Sequence, residues 1–390
     1  MKIASLLAEI PDPRSRDGLY TVGEIVLLVL SGMCAGLKDL TWISAWGEAN
    51  IEWLRTYLEY PNGIPSHDTI GRVLGRIKPS VVEAVFKSIV AEIVRFAPER
   101  AERHMALDGK TLRGSRKNGR ALHVVHAWDV QLQQLLEMAW VDKKQNEISV
   151  LPGVLDCLDL RGSVITTDAM GAQRKLIDQV LKAGGNAIVA LKENHPTVEE
   201  AIALLFQKTP RAISVLVHQE TDKGHGRIEQ RTTSVIGIPP SIKADLPLDG
   251  WSVKSVVQVE SLRIEKGVST TENRYYLSTL STETHPAGRQ AQLIRNHWSV
   301  ENHLHRALDV QLQEDHCRVR EINAAKNMAV LRRLAHSMFV QFDPSGKPMT
   351  HRMNMFSWRP KARDLLFSRF ASGTTPKTIK VATGKTALSR

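Results

Sequence analysis

Two aspartates, Asp108 and Asp168, each come directly after a short apolar stretch of the chain. The stretches read HMAL before the first and VITT before the second, which is typical of buried strands that end at a polar residue. These would be the first and fourth strands of one sheet, where such strands are commonly neighbours. Two carboxylates at adjacent strand ends repel each other, and a divalent cation removes that penalty. Oxygen ligands in an open site favour Mg²⁺ or Mn²⁺.

A third acid is expected from a helix that packs against the same strand ends. Residues 297–305 read HWSVENHLH, and helical spacing places His297, Glu301 and His305 on one face, with Asp309 one turn further. Metal ions held by Asp108, Asp168 and Glu301 would activate a water or a 3′-hydroxyl for in-line displacement at phosphorus. Each acid alone is more often a cap, a turn residue or part of a solvated face, so only the combination carries the hypothesis.

The elements that would position these acids form an α/β block between residues 103 and 206. Strands are predicted at 104–107, 122–129, 134–141, 163–167 and 187–191, and helices at 148–158 and 176–182. Asn146 or Ser149 is expected to open the first of these helices. Three neighbouring strands followed by crossover units predict a mixed sheet with helices on both faces.

The first 98 residues are predicted to be helical, with segments at 20–36, 40–46, 51–57, 69–77 and 80–96. Ser66 or Asp68 would cap the fourth helix, on which Arg72 and Arg76 lie four residues apart on one face. This region is either a DNA-binding or accessory domain, or a packing domain with a solvated basic face.

The rest of the chain is predicted to form strands, then helices and finally a tail. Strands at 212–218, 231–236, 251–260 and 274–280 predict a β-rich region at about 210–280, and helices return at 286–310 and 324–339. Residues 343–390 are rich in Pro, Gly, Ser, Thr and Lys and are expected to form a basic, flexible tail.

Composition and charge indicate what kind of partner the protein binds and in which cellular compartment it is expected. The chain of 390 residues carries a net charge of +11, which favours a polyanion, nucleic acid first. Its three cysteines are far apart, which argues against a zinc site or a disulfide framework and fits a reducing cytosol. No signal peptide is recognised, and the apolar run 25–36 is too short to span a membrane. The motifs HExxH, GxSxG and GxGxxG do not occur, which argues against zinc proteases, serine hydrolases and Rossmann enzymes.

The sequence around the three acids resembles the H-repeat-associated insertion-sequence transposases, a branch of the DDE transposases with a ribonuclease-H-like core. The similarity extends from about residue 8 to 340. It rests on ALDGKTLRGS at 106–115, NEI at 146–148, TDAMGAQ at 167–173, ALKENHPT at 190–197, GHGRIE at 224–229 and the 297–305 stretch, with PDPR at 11–14 and NGIPSHDT at 62–69 upstream. These motifs are specific jointly and not singly.

The resemblance implies a ribonuclease-H-like catalytic domain at 103–340 that carries the β-rich insertion before its last catalytic helix, and an N-terminal domain at 1–98. It implies cleavage of transposon ends and strand transfer, with Asp108, Asp168 and Glu301 as both catalytic residues and ligands of Mg²⁺, for which Mn²⁺ can substitute. The implied partner is double-stranded DNA, at transposon ends and target, bound by a homodimer. The implied location is the bacterial cytoplasm, at the nucleoid when DNA is bound, with no membrane association.

Several basic side chains are candidate DNA contacts, and each has an alternative as a solvated loop, strand-end or turn residue. These candidates are Lys110, Arg113, Arg116, Lys192, His225, Arg227 and His297. Many related transposases place Tyr seven residues before the glutamate, Arg four residues before it and Lys seven residues after it. At these positions this chain has Ile294, His297 and Leu308. His297 and Arg295 are candidates to replace them. Two other functions stay open: an inactive or domesticated DNA-binding relative, and a metal-dependent nuclease without strand transfer.

Overall fold

The computed structural model describes residue 7 and residues 10–14, 18–117, 120–142, 145–192, 194–209, 213–224, 226–343 and 345–372. The N-terminal region is helical, as predicted. Its helices are α1 (Val22–Cys34), α2 (Leu40–Ala49), α3 (Ile51–Leu54), α4 (His67–Arg76) and α5 (Pro79–Arg95).

Local capping sets where these helices begin. The Thr21 side chain accepts from the Glu24 backbone N–H while the Glu24 carboxylate accepts from the Thr21 N–H, which is a capping box. Of the two caps predicted for α4, Ser66 is the one observed, and it accepts from the Thr69 N–H.

The most apolar stretch of the chain lies in α1, where all 13 residues are buried. The expectation of a buried core helix over 25–36 is therefore confirmed over most of that range. Among the described residues, no helix has both the length and the apolar character that crossing a membrane requires.

A nine-stranded mixed sheet forms the centre of the molecule. Its strands are β1 (Arg103–Lys117), β2 (Arg120–Asp129), β3 (Gln134–Val141), β4 (Ser163–Thr167), β5 (Asn186–Leu191), β6 (Val215–Gly224), β7 (Arg227–Gly237), β8 (Ser255–Glu265) and β9 (Val268–Ser278). The spatial order is β3-β2-β1-β4-β5-β9-β8-β7-β6. Strands β1, β4 and β5 are parallel and the other pairings are antiparallel. The first and fourth strands are therefore neighbours, as expected.

Strand β1 differs from the prediction in its length. The predicted strand ended before Asp108 and was followed by a polar loop, whereas β1 continues to Lys117 in antiparallel pairing with β2. Its parallel pairing with β4 stops at Leu107. Asp108 thus lies within β1, at the point where β1 loses one of its two neighbours. The alternation of polar and apolar residues beyond Asp108 is weak, and pairing with β2 overrides it.

Helices cover both faces of the sheet. On one face, Met105 and Leu107 pack in a core with α6 (Glu147–Asp156), α7 (Arg174–Lys182) and α8 (Pro196–Gln207). On the other, Ala106 belongs to a core that includes α1 to α5 and the long helix α11 (Ile322–Phe342). Because α11 packs against α1, α4, α5 and β3, the N-terminal helices share one core with the sheet.

The β-rich region predicted at about 210–280 supplies β6 to β9, with the short helix α9 (Pro240–Ala244) between β7 and β8. Strand β9 pairs with β5 through Leu277 and Val189, so these strands extend the same sheet. The chain then enters α10 (Ala287–His297), followed by two π-helical segments at Val300–His305 and Ala307–Gln311 and a 3₁₀ turn at Glu314–His316.

The expectation of a flexible tail from residue 343 is wrong over 349–372. There the chain forms α12 (Met349–Trp358) and α13 (Pro360–Ser372). Phe356 and Phe367 are buried against Trp46, Trp53 and Tyr57 of the N-terminal region. The segment itself contains no glycine and a single proline, Pro360, at the first position of α13, and burial of its aromatic rings stabilises the two helices. Residues 373–390 lie outside the described residues.

Candidate active site

Asp108 and Asp168 lie side by side because of the β1–β4 register. Leu107 is paired with Thr167, so each aspartate follows a paired residue, Asp108 within β1 and Asp168 directly after β4. Asp108 Oδ1 accepts from the Gly109 N–H at 2.9 Å, and Asp168 Oδ1 accepts from the Met170 N–H at 3.1 Å, where a 3₁₀ turn begins. Both side chains line one cavity of about 550 Å³.

Glu301 lines the same cavity from the helical stretch that follows α10. This stretch is a π-helix, in which the Arg306 N–H bonds to the Glu301 carbonyl five residues earlier. π-helical turns are rare and often mark functional sites. Buried Val300 and Leu304 fix the segment to the core, while the Glu301 side chain is half exposed. The structure therefore brings the three predicted acids to one cavity.

The three carboxylates have unequal proton affinities. Burial, with the nearby charges of Glu301 and Asp168, raises the pKa of Asp108 to about 8. Burial, followed by the charge of Glu147, raises the pKa of Asp168 above its ordinary value. A hydrogen bond from His305 lowers the pKa of Glu301, against the opposing effect of its burial. Such divergence among clustered acids is typical of functional sites.

The site has more carboxylates than compensating basic groups. In the described part of the chain, His305 is the only basic side chain in ion-pair contact with Asp108 or Glu301, at 3.6 Å and 3.8 Å. Asp108, Glu301 and His305 each offer one ligand atom, and these atoms lie within 4.8 Å of one another. Asp168 adds a further carboxylate to the cavity. This donor set fits a divalent cation.

Lys110 does not face solvent. Its ammonium group is buried and lies 2.6 Å from both carboxylate oxygens of Asp309. Lys110 is therefore not retained as a DNA contact. Of the other acids near Glu301, Asp309 is occupied by Lys110 and Glu314 is fully buried against Arg333, so neither competes with Glu301 as the third acid.

The other predicted DNA contacts are distributed over the surface. Arg113, Arg116 and Lys192 are exposed, and Lys192 also lines the cavity of the acids. Arg227 is exposed at the end of the β6–β7 hairpin, where it lines a separate groove. His225 lies outside the described residues.

At the positions where this chain departs from many relatives, Ile294 and Leu308 are buried core residues. Of the two candidate replacements, His297 lines the cavity and its Nδ1 lies 3.0 Å from the Thr166 hydroxyl. Burial lowers the pKa of His297 to about 4, so its ring is neutral near pH 7. Arg295 instead pairs with Glu220 and Asp222 of β6.

Sequence reasoning missed Glu147, at the start of α6, as a neighbour of the site. A Cβ atom added to Gly109 would lie 2.4 Å from a Glu147 carboxylate oxygen, so a side chain at 109 would displace the Glu147 carboxylate from this position. The charge of Glu147 raises the pKa values of both Asp108 and Asp168. The signal that could have found it is the NEI motif at 146–148, because Asn146 caps α6 and places Glu147 in its first turn.

Comparison with known proteins gives a consistent picture. Residues 99–338 match the family described as "Transposase DDE domain", and residues 4–90 match "DDE_Tnp_1-associated". The chain is 33% identical to "Putative protein YbfL" of Escherichia coli (strain K12) over 86% of this chain and 89% of that protein. It is 32% identical to "H repeat-associated putative transposase YhhI" of the same organism, with the same shares covered.

Among solved structures, the chain is similar to the piggyBac transposase synaptic complex with hairpin DNA, with a TM-score of 0.42 and 11% identity. The alignment covers 95% of this chain and 78% of that one.

Proposed function

The chain belongs to the transposase DDE domain family, and on that premise we propose that it is the DNA transposase of an insertion sequence. It cleaves transposon ends and joins them to target DNA by in-line phosphoryl transfer. The observation that carries this proposal is the meeting of Asp108, Asp168 and Glu301 in one cavity, from two neighbouring strands and the helical stretch after α10.

The order of the first five strands supports assigning the catalytic domain to the ribonuclease-H-like fold. In the sheet they run β3-β2-β1-β4-β5, with β4 and β5 parallel to β1 and with β2 antiparallel to it. The strands β6 to β9 extend this core as the insertion that precedes the helical stretch with Glu301.

The metal ligands in this proposal are Asp108, Asp168 and Glu301, with Mg²⁺ as the cation and Mn²⁺ as a substitute. When bound, such ions lower the pKa of the attacking hydroxyl or water and stabilise the leaving oxygen. The chain itself contributes the position of the carboxylates. β1 and β4 hold two of them rigidly, and the π-helical stretch brings the third to the same cavity.

In the reaction, a water or a 3′-hydroxyl oxygen attacks phosphorus, and the bond from phosphorus to the opposite oxygen breaks. The attacking oxygen loses its proton to solvent, and the leaving 3′-oxygen takes a proton from solvent. Lys192, which is exposed on the wall of the cavity, contacts a phosphate of the bound strand in this proposal. Arg113, Arg116 and Arg227 add phosphate contacts, and the active assembly is a homodimer on paired ends.

The test is metal-dependent cleavage and joining of DNA that carries the ends flanking the gene. Asp108→Asn, Asp168→Asn and Glu301→Gln should each abolish both reactions in Mg²⁺ and Mn²⁺ while DNA binding persists. Glu272→Gln is the matched control, because Glu272 lines the same cavity but pairs with Arg274 at 2.8 Å. It should keep most of the activity.

Each contrary outcome points to a different function. Binding of end DNA without any cleavage by the wild type would favour the inactive DNA-binding relative. Cleavage that never produces joined product would favour a nuclease. Cleavage that persists in Glu301→Gln would show that Glu301 is not a catalytic residue.

A further inference from the structure

Four buried side chains form a hydrogen-bonded line that ends at the candidate active site. Glu314 accepts two hydrogen bonds from Arg333, at 2.7 Å and 3.3 Å. Arg333 Nε donates to His126 Nε2 at 2.9 Å, and His126 Nδ1 lies 2.8 Å from His305 Nε2. His305 Nδ1 then faces Asp108 and Glu301. We call this line the Arg333 relay.

The Arg333 relay fixes the protons on both imidazoles. An arginine Nε always carries a proton, so His126 Nε2 must be its acceptor and carries none. The proton of His126 is therefore on Nδ1, which donates to His305 Nε2. His305 Nε2 is then an acceptor, and its own proton is on Nδ1, which points at the carboxylates. If His305 were doubly protonated, its Nε2–H would face the Nδ1–H of His126, and neither nitrogen could accept a hydrogen bond.

We infer that Arg333, acting through His126, holds His305 with its Nδ1–H directed at Asp108 and Glu301, at 3.6 Å and 3.8 Å, and so keeps it out of the metal's ligand set. The inference rests on the proposed function of this site. Distance alone would allow a nitrogen ligand, because the ligand atoms of Asp108, Glu301 and His305 lie within 4.8 Å of one another. An imidazole nitrogen that carries a proton cannot bind a metal, so the tautomer decides the matter.

This arrangement has two consequences. A metal at this site would be held by carboxylate oxygens, which suits Mg²⁺ and Mn²⁺ and disfavours Zn²⁺ and Co²⁺, for which imidazole is a strong ligand. His305 is a positioning residue, because it is the one N–H donor among the described ion-pair partners of Glu301. With a half-exposed side chain, Glu301 would otherwise sample several rotamers.

The direct test is ¹⁵N NMR of histidine-labelled, metal-free protein, with the His305 signals identified by their loss in His305→Asn. The expected result is a protonated Nδ1 and an unprotonated Nε2 at His305. The opposite tautomer at His305 would overturn the inference, whether or not the protein cleaves DNA. This readout separates failure of the Arg333 relay from failure of the proposed function.

A second test breaks the relay and titrates Co²⁺ or Zn²⁺, read by Co²⁺ absorption and by calorimetry. In His126→Leu, His305 Nε2 loses its donor, Nδ1 can become a ligand, and affinity for both ions should rise about tenfold or more. His351→Leu, which removes an exposed histidine outside the relay, should leave the affinity unchanged. Equal affinity of His126→Leu and wild type would count against the relay, provided circular dichroism finds both folded.

A third test uses the amide of asparagine, which can place an N–H near the position of Nδ1 but is not an imidazole ligand. His305→Asn should retain Mg²⁺ affinity and cleavage better than His305→Leu, by about tenfold. If both variants lose Mg²⁺ affinity equally, His305 acts as a ligand and the inference is wrong.

Discussion

The ammonium group of Lys110 lies 2.6 Å from both carboxylate oxygens of Asp309, and this pair joins β1 to the π-helical stretch beyond Glu301. Lys110 is two residues from Asp108, and Asp309 is two turns of helix from Glu301. The pair therefore ties together the two elements that supply the first and third acids.

Lys110→Met should lower the free energy of unfolding. Asp309 would lose its partner while the charges of Asp315 and Glu314 remain nearby, and the cost should be about 1–3 kcal/mol in urea unfolding. Lys110→Met/Asp309→Leu should recover most of that loss, because no unpaired charge is left. A double variant as unstable as the sum of the two single variants would argue against this coupling.

The exposed arginines should control the salt dependence of DNA binding. Arg113→Ala and Arg116→Ala should each make the plot of log affinity against log salt concentration less steep by about 0.9, the effect of one lost phosphate contact. Lys110→Met is the matched control, since its ammonium group is occupied by Asp309, and its slope should equal that of the wild type. A flatter slope in the control would restore Lys110 as a DNA contact.

The proton affinity of Asp108 should make the metal-free protein less stable at alkaline pH. Its pKa is raised to about 8 in the folded protein, from a model-compound value of 3.8. The folded state then binds the proton more tightly than the unfolded state. Stability is lost as pH rises from about 4 to about 8, and a tenfold difference in proton affinity corresponds to about 1.4 kcal/mol.

Asp108→Asn has no carboxyl group to ionise at this position, so its stability should not fall as the pH rises. In EDTA at pH 8 its Tm should therefore exceed that of the wild type by several degrees. Addition of Mg²⁺ should raise the Tm of the wild type and leave that of Asp108→Asn nearly unchanged. Glu272→Gln serves again as the control, with a Tm that responds to Mg²⁺ as the wild type does. A wild type indifferent to Mg²⁺ at pH 8 would contradict the proposed metal site.

Gly114 should tolerate no side chain. A Cβ atom there would lie 2.7–2.8 Å from the backbone carbonyl oxygens of Glu314, Asp315 and Cys317. Gly114→Ala must push this segment away from β1, at a cost of about 1–3 kcal/mol. Gly153→Ala, in a helix with open space around it, should instead stabilise the protein by up to about 1 kcal/mol. The Tm of each variant is compared with that of the wild type. A Tm changed equally by Gly114→Ala and Gly153→Ala would contradict this prediction.

Local pattern was enough to predict the class of fold and the position of the acids. Apolar spacing predicted the helices described within 18–98, the mixed sheet and the β-rich region before the last helices, because burial of one face imposes periods of 3.6 and 2 residues. The neighbouring first and fourth strands followed from the order of strands and helices. That adjacency predicted Asp108 beside Asp168, and the β1–β4 pairing confirms it.

Where the prediction failed, tertiary contacts overrode local composition. The region 343–390 as a whole has the composition of a flexible tail, yet within it Phe356 and Phe367 pack against tryptophans of the N-terminal region. Lys110 follows Asp108 in a basic stretch, yet its ammonium group forms an ion pair with Asp309, which is 199 residues away in the sequence. Neither partner is visible in the neighbouring sequence.

By itself, the sequence determined which residues could bind a metal and which elements carry them, because strand and helix periodicity is a local property. Only the tertiary structure decided how those residues are protonated and held. His126 and His305 are 179 residues apart, and Arg333 is 207 residues from His126. Hydrogen bonds act over about 3 Å of space whatever the distance along the chain, so the Arg333 relay exists only once the sheet and α11 have packed together.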